Sequence, residues 1–154
     1  MNATLRTPET TMTTTPTARP AFGTLLADQM SLATYANGAW SANQLVPVGP
    51  LPMHPAAHVL HYASTCFEGF KAYRWADGSV HVFRMDRHIA RLRQSAQLLS
   101  LPVPDATQLE KMILETIDRN RAQVPEPPGA LYMRPVLYGT MPNIGAASQP
   151  SNEA

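Results

Sequence analysis

GFKAYRWADGSVHVFR, residues 69–84, carries the strongest local signal of secondary structure in the sequence. Its two halves, GFKAYRW and VHVFR, are rich in aromatic and β-branched residues, and Asp77-Gly78 lies between them. An Asp-Gly pair between two runs of this kind is typical of the tight turn of a β-hairpin. We therefore predict two antiparallel strands here.

Two amphipathic helices are predicted after the hairpin. Asp86 is placed to cap the first, which runs to about Leu99. The apolar residues on its inner face are Ile89, Leu92, Ala96 and Leu99. Asp105 and Gln108 have the spacing of a capping box for the second helix, which runs to about Gln123. Its apolar stripe consists of Leu109, Met112, Ile113 and Ile117.

Two other segments are predicted to form strands. HVLHY, residues 58–62, suits a short strand, and LYMRPVLYGT, residues 131–140, suits another. Proline has no N–H to donate, so Pro135 marks an edge or a bulge in the second. The expected class is α+β, with an antiparallel sheet flanked by the two helices.

Composition limits the possible partners. The 154 residues contain 12 Lys and Arg against 11 Asp and Glu, so the chain lacks the positive field that non-specific nucleic-acid binding needs. Its apolar runs are far shorter than the roughly 20 residues of a membrane-spanning helix. We therefore expect a soluble protein with neither a nucleic-acid nor a membrane partner.

Residues 1–20 are rich in Thr and Pro, and this composition predicts a disordered tail.

Cys66 is the only cysteine, which excludes an internal disulfide and a Cys-type zinc site and favours a reducing compartment. We expect Cys66 to be a small buried side chain. The five histidines lie apart from carboxylate or thiolate neighbours, so no metal site is expected.

Arginines carry the clearest chemical signal. Four of them fall within ten residues around the start of the first helix: Arg84, Arg87, Arg91 and Arg93. Such a cluster either holds a phosphate or forms a solvated face. Tyr132 and Arg134 are two residues apart on a strand, so their polar groups project on one face and suit a carboxylate. Gly69, between Phe67 and Phe70, would let a flat ligand approach the backbone, although packing glycines have the same appearance.

Three motifs in this order resemble the branched-chain aminotransferases, with FGTLLADQM upstream of them. They are HYASTCFEGFKAYR (residues 61–74), FRMDRHIARLRQSA (83–96) and LYMRPVLYGTMPNIG (131–145). The resemblance implies the type IV fold of pyridoxal 5'-phosphate enzymes. It also implies amino transfer between leucine, isoleucine or valine and 2-oxoglutarate, in a cytoplasmic homodimer that binds amino acids and 2-oxo acids.

The resemblance also assigns roles to individual residues. Arg91 corresponds to the residue that binds the cofactor phosphate, and Arg87 and Arg93 then remain plain surface charges. Phe67 and Gly69 border both cofactor and substrate. The substrate pocket is expected to be walled by Phe22, Tyr62 and Tyr132, with Arg134 at its mouth. Ile144 and Ala146 match loop positions that reach the partner subunit's site.

A Schiff-base lysine is expected to be missing. Lys71 is predicted to be a solvent-facing residue on a strand. Neither Lys71 nor Lys111 matches the catalytic lysine of the family. The resemblance therefore implies a small N-terminal domain over residues 21–139 and the start of an interdomain loop over 140–154, without the large C-terminal domain. By itself the chain should not turn over. The alternative is a non-catalytic module that assembles with a separate large domain.

Overall fold

The computed structural model describes residues 21–145 and Ala154. The expected tail at 1–20 and the site residue Ala146 lie outside these residues. The described part forms nine strands, three α-helices and a 3-10 turn at Arg121–Gln123. The strands are β1 Gln29–Leu32, β2 Tyr35–Ala36, β3 Ala39–Trp40, β4 Gln44–Pro47, β5 Thr65–Phe67, β6 Phe70–Arg74, β7 Val80–Val82, β8 Leu131–Met133 and β9 Val136–Tyr138. The helices are α1 His58–Tyr62, α2 Met85–Leu98 and α3 Ala106–Arg119.

The expected hairpin is present as β6 and β7, with Ala72 opposite Val82. At its tip Gly78 has a φ of +80°, and the Asp77 carboxylate accepts the Ser79 N–H at 2.9 Å. The α+β class and the antiparallel pairing are confirmed. The strands form four small sheets, β1-β4, β2-β3, β5-β9 and β7-β6-β8, instead of a single sheet.

The predicted strand over 131–140 is divided in two at Pro135. β8 pairs with β6, whereas β9 pairs with β5, where Leu137 lies opposite Cys66. Proline cannot donate to a strand ladder, so the pairing changes partner at this residue. The Pro135 carbonyl instead accepts the Glu68 N–H at 3.1 Å, which joins this break to the turn between β5 and β6.

The core lies between the two long helices and the strands. Six predicted core positions are buried: Ile89, Leu92, Ala96, Leu109, Ile113 and Ile117. Leu99 was expected among them but is 45 % exposed, because α2 ends at Leu98 and the chain turns there. Leu101 takes the core position instead, and its N–H bonds to the Ala96 carbonyl at 2.9 Å.

The two helix starts differ from each other. Asp105 caps α3 as predicted, because its carboxylate accepts the Gln108 N–H at 2.9 Å. The predicted capping box does not form, because the Gln108 side chain donates to the Ser41 carbonyl and not back to residue 105. The prediction that Asp86 caps α2 is wrong. The helix already begins at Met85, after Arg84 in the left-handed conformation, so Asp86 lies in the first turn and pairs with arginines.

Residues 58–62 form the single-turn helix α1, not the predicted strand. Carbonyls distant in sequence satisfy its first amides: the His58 N–H bonds to Met141 at 3.0 Å and the Val59 N–H to Gly139 at 3.0 Å. Ala63 ends the turn in the left-handed conformation. Five residues are too few for hydrophobic periodicity to separate a strand from a helical turn.

Asn120 attaches the N-terminal strands to α3. Its side chain is buried, accepts the Gln29 N–H at 3.0 Å and donates to the Gln29 carbonyl at 2.9 Å. Ser31 contacts the Met112 carbonyl further along the same helix. Within residues 21–145, no helix has the length and hydrophobicity that crossing a membrane requires.

We expect Asp105→Ala to lower the free energy of unfolding by about 1 kcal/mol, because the Gln108 N–H loses its capping acceptor. Urea denaturation of the full chain measures this change. Glu110→Ala, at an exposed position in the body of the same helix, is the control and should change stability by less than about 0.5 kcal/mol. Equal stability of the Asp105 variant and the native chain would contradict the capping role.

Candidate functional site

Four of the predicted site residues form one cluster, which we call the aromatic cluster: Phe22, Phe67, Tyr132 and Arg134. The Arg134 guanidinium carbon lies 4.7 Å from the centre of the Phe67 ring and 5.2 Å from that of Tyr132. Arg134 Nη2 donates to the Tyr132 hydroxyl at 2.9 Å. Phe22 packs edge-on against Tyr132, with 4.9 Å between ring centres. The phenol and the guanidinium therefore meet on one face, as the two-residue spacing predicted.

Gly69 makes room for Tyr132. A Cβ atom at Gly69 would overlap the Tyr132 hydroxyl and lie 3.0 Å from its Cζ. β8 lies beside β6 with Tyr132 opposite Lys71, which directs the phenol over the backbone at residue 69. The close approach expected at this glycine is therefore made by a side chain of the same domain.

Arg91 reaches the turn between β5 and β6 through Glu68. The carboxylate of Glu68 is buried and accepts Arg91 Nε at 2.7 Å and Nη2 at 2.5 Å. It also accepts His88 Nδ1 at 3.1 Å. Because an ionised carboxylate can only accept, Nδ1 of His88 carries the proton in this contact.

The electrostatics of this group follow from its hydrogen bonds. Those from Arg91 hold the pKa of the Glu68 carboxyl below its usual value and outweigh burial, which would raise it. The same contact raises the pKa of the Arg91 guanidinium. Both partners are therefore charged at neutral pH, and Arg91 keeps a side chain that is 62 % exposed.

The other three arginines do not join Arg91. Arg84 and Arg87 both pair with Asp86, at 3.3 and 3.6 Å. The expectation that Arg93 is a plain surface charge is wrong, because it is half-buried and its Nε donates to the Pro104 carbonyl at 2.9 Å. Of the four, Arg91 is the one whose side chain extends to the turn at residues 67–69.

Tyr62 and Ile144 form a separate contact. The Tyr62 hydroxyl bonds to the Ile144 carbonyl at 2.8 Å and to that of Gly145, and its ring lies against His58 and His61. The hydrogen bonds tie α1 to the loop after β9. The Ile144 side chain is 66 % exposed.

Two hollows adjoin the cluster, and Tyr132 borders both. The smaller, of about 270 Å³, is lined by Gly69, Phe70, Lys71, Tyr73, Phe83, His88 and Tyr132. The larger, of about 550 Å³, is mostly apolar and lies between β1, α3 and β8, with Arg134 at its wall. Phe67 and Arg91 border neither of these two hollows, so neither hollow brings all the predicted site residues together.

The other reactive side chains are those of the two lysines and of Cys66. Lys71 is exposed on β6, and Lys111 pairs with Glu115 at 3.7 Å on α3. Cys66 is buried, which raises the pKa of its thiol. Among residues 21–145, no three His, Cys, Asp or Glu side chains converge as a metal site would require.

Sequence reasoning did not single out Glu68 and His88. A charged residue between Phe67 and Gly69, in an otherwise apolar turn, was one available signal. The three-residue spacing of His88 and Arg91, which places both on one side of α2, was another.

Comparison with known proteins supports the resemblance. The Amino-transferase class IV family matches residues 65–154. The branched-chain-amino-acid aminotransferase of Mycobacterium tuberculosis is 45 % identical over 130 residues, which cover 82 % of this chain and 35 % of the relative. The mouse enzyme named branched-chain-amino-acid aminotransferase, cytosolic, is 39 % identical over 126 residues, covering 80 % and 33 %.

Solved structures agree with these relatives. The T.th. branched-chain amino acid aminotransferase complexed with N-(5'-phosphopyridoxyl)-L-glutamate superposes with a TM-score of 0.58 at 28 % identity, over 79 % of this chain and 37 % of that one. The Thermoproteus uzoniensis branched-chain aminotransferase with norvaline gives 0.56 at 33 % identity, over 74 % and 35 %. This chain spans about a third of the length of the relatives it matches. It belongs to the class IV aminotransferase family.

Proposed function

We propose that this chain forms the small domain of a branched-chain aminotransferase that uses pyridoxal 5'-phosphate. The reaction would move an amino group between leucine, isoleucine or valine and 2-oxoglutarate. The observation that carries the proposal is the meeting of the aromatic cluster and the Glu68–Arg91 pair at residues 67–69. The 45 % identical relative of the same named activity supports it.

The domain organisation is part of the proposal. Residues 21–139 would form the small domain and residues 140–154 the start of an interdomain loop. Ile144 and Ala146 would reach the partner's site in a homodimer, and the high exposure of Ile144 is consistent with a second surface covering it. A cytoplasmic location is supported by the mouse relative named as cytosolic.

Arg91 fits the phosphate of the cofactor. Its guanidinium uses the Nε and Nη2 edge for Glu68, its Nη1 has no hydrogen-bond partner within residues 21–145, and guanidinium N–H groups match phosphate oxygens well. Pyridoxal 5'-phosphate, when bound, supplies an electron sink for the substrate carbanion. The residues of this chain would hold the cofactor and the substrate. Exposed Lys71 and paired Lys111 do not have the buried surroundings of a reactive amine.

The aromatic cluster fits both kinds of substrate. Rings of Phe22, Phe67 and Tyr132 provide apolar walls for an aliphatic side chain. Tyr132 and Arg134 provide a hydroxyl and a guanidinium for the side-chain carboxylate of glutamate when that is the amino donor. Tyr62, tied to the loop at residues 144–145, would complete the wall.

We expect the full chain to bind pyridoxamine 5'-phosphate through Arg91. This form of the cofactor lacks the aldehyde and cannot label Lys71 or Lys111, so equilibrium dialysis reports only the non-covalent site. Arg91→Ala should weaken binding by about tenfold or more, because a charge-assisted contact to phosphate is lost. Arg87→Ala, on the same helix but paired with Asp86, is the control and should leave affinity unchanged. Equal binding by the Arg91 and Arg87 variants would contradict the assignment.

We expect Gly69→Ala to destabilise the chain by about 1–3 kcal/mol, because the added methyl group displaces the Tyr132 hydroxyl. Urea denaturation measures the loss. Adding Tyr132→Phe should recover part of it, since the overlap with the hydroxyl is then relieved, and a double-mutant cycle measures the coupling. Gly49→Ala is the matched control, because no atom lies within 4 Å of a Cβ there. The absence of coupling between positions 69 and 132 would show that this contact does not require the glycine.

A further inference from the structure

Glu68 is a buried carboxylate in contact with an exposed arginine. Its side chain is 8 % exposed, whereas that of Arg91 is 62 % exposed. Removing a carboxylate from water costs several kcal/mol unless hydrogen-bonded charges offset it. Here Arg91 and His88 donate to it. The fold therefore holds an ionised group directly behind an exposed guanidinium.

Two contacts besides those with Arg91 fix the position of this carboxylate. The Glu68 N–H bonds to the Pro135 carbonyl at 3.1 Å, which fixes the backbone. His88 holds Oε2, and its ring stacks on Phe70 with 5.0 Å between centres and 29° between planes. The carboxylate is therefore a rigid acceptor with little freedom to follow the arginine.

The fork geometry determines which edge of Arg91 faces outward. Nε and Nη2 lie against Glu68 at 2.7 and 2.5 Å, so the guanidinium cannot rotate without breaking two charge-assisted bonds. Nη1 has no hydrogen-bond partner within residues 21–145. It is therefore the nitrogen left to bind an anion, on a side chain that is mostly exposed and whose other edge is fixed.

We propose that Glu68 is a positioning residue that orients the Arg91 guanidinium toward the cofactor phosphate, with His88 holding the carboxylate in place. This inference rests on the proposed function, since it assumes that Arg91 binds phosphate. It assigns a role to two side chains that would not themselves touch the cofactor. Such positioning would pre-organise the site. Glu68 already restricts the rotation of the Arg91 guanidinium, so anion binding costs little further conformational entropy.

Electrostatics alone predicts the opposite effect. A carboxylate beside a phosphate repels it, so removing the charge of Glu68 would strengthen phosphate binding if Glu68 were only a neighbouring charge or a structural partner of Arg91. Positioning predicts weaker binding. In Glu68→Gln, the amide retains one acceptor oxygen but presents an NH₂ group to one of the two arginine donors, which breaks the fork. The sign of the change therefore separates the two roles.

The test compares pyridoxamine 5'-phosphate with pyridoxamine, which lacks the phosphate, as ligands of the full chain. The ratio of the two affinities measures the phosphate contact alone. Glu68→Gln should reduce this ratio about tenfold, and His88→Gln, which leaves the carboxylate charged, should reduce it by a smaller factor. Glu110→Gln, at an exposed site on α3, is the matched control and should leave it unchanged.

The outcomes separate this inference from the proposed function. If the native chain does not prefer the phosphorylated ligand, the phosphate site is absent and both proposals are wrong. If the native chain prefers it and Arg91→Ala abolishes the preference, but neither the Glu68 nor the His88 variant reduces it, only the positioning role is wrong. In an Arg91→Ala background, Glu68→Gln should cause no further loss, and an additional loss there would also overturn the inference.

Discussion

The hydrogen bond from the Glu68 N–H to the Pro135 carbonyl is the contact on which the arrangement of the site depends. It joins the turn between β5 and β6 to the break between β8 and β9. Because Pro135 has no N–H, the last strand changes partner there, and Tyr132 and Arg134 end up beside Phe67 and Gly69. A continuous strand would place these side chains along a single sheet and would leave the turn unattached.

Features of the site and fold that depend on neighbours in sequence were predictable. The hairpin, the two long helices and the shared face of Tyr132 and Arg134 all follow from spacing or from a turn dipeptide. The start of α2 was missed by two residues, because Arg84 precedes the helix in a left-handed conformation that the sequence does not signal. Leu99 was misplaced for a related reason, since the turn after α2 brings Leu101 into the core instead.

Features that depend on distant contacts could not be predicted. α1 is helical because carbonyls of Gly139 and Met141, some eighty residues away, satisfy its first amides. The environment of Glu68 likewise depends on hydrogen bonds from His88 and Arg91, which are 20 and 23 residues further along the chain. Resemblance to the family names the arginine, but it does not name the carboxylate behind it. Only the folded arrangement shows that the two are hydrogen-bonded to each other.

Under the proposed function, the packing of Arg134 would let one surface receive either an aliphatic or an acidic substrate side chain. A guanidinium is planar and weakly hydrated, so it can pack on the faces of Phe67 and Tyr132 while keeping its charge. Its bond to the Tyr132 hydroxyl holds it against the rings and not in open solvent. An aliphatic chain would meet the rings and the flat face of the arginine, and a carboxylate would meet the free N–H groups at its edge. Arg91 differs because its charge is opposed by a buried carboxylate that fixes its direction, which suits an anion that always binds in the same place. In the proposed enzyme the two arginines would thus meet opposite requirements: Arg134 would tolerate different substrate side chains, and Arg91 would hold the phosphate in a single orientation.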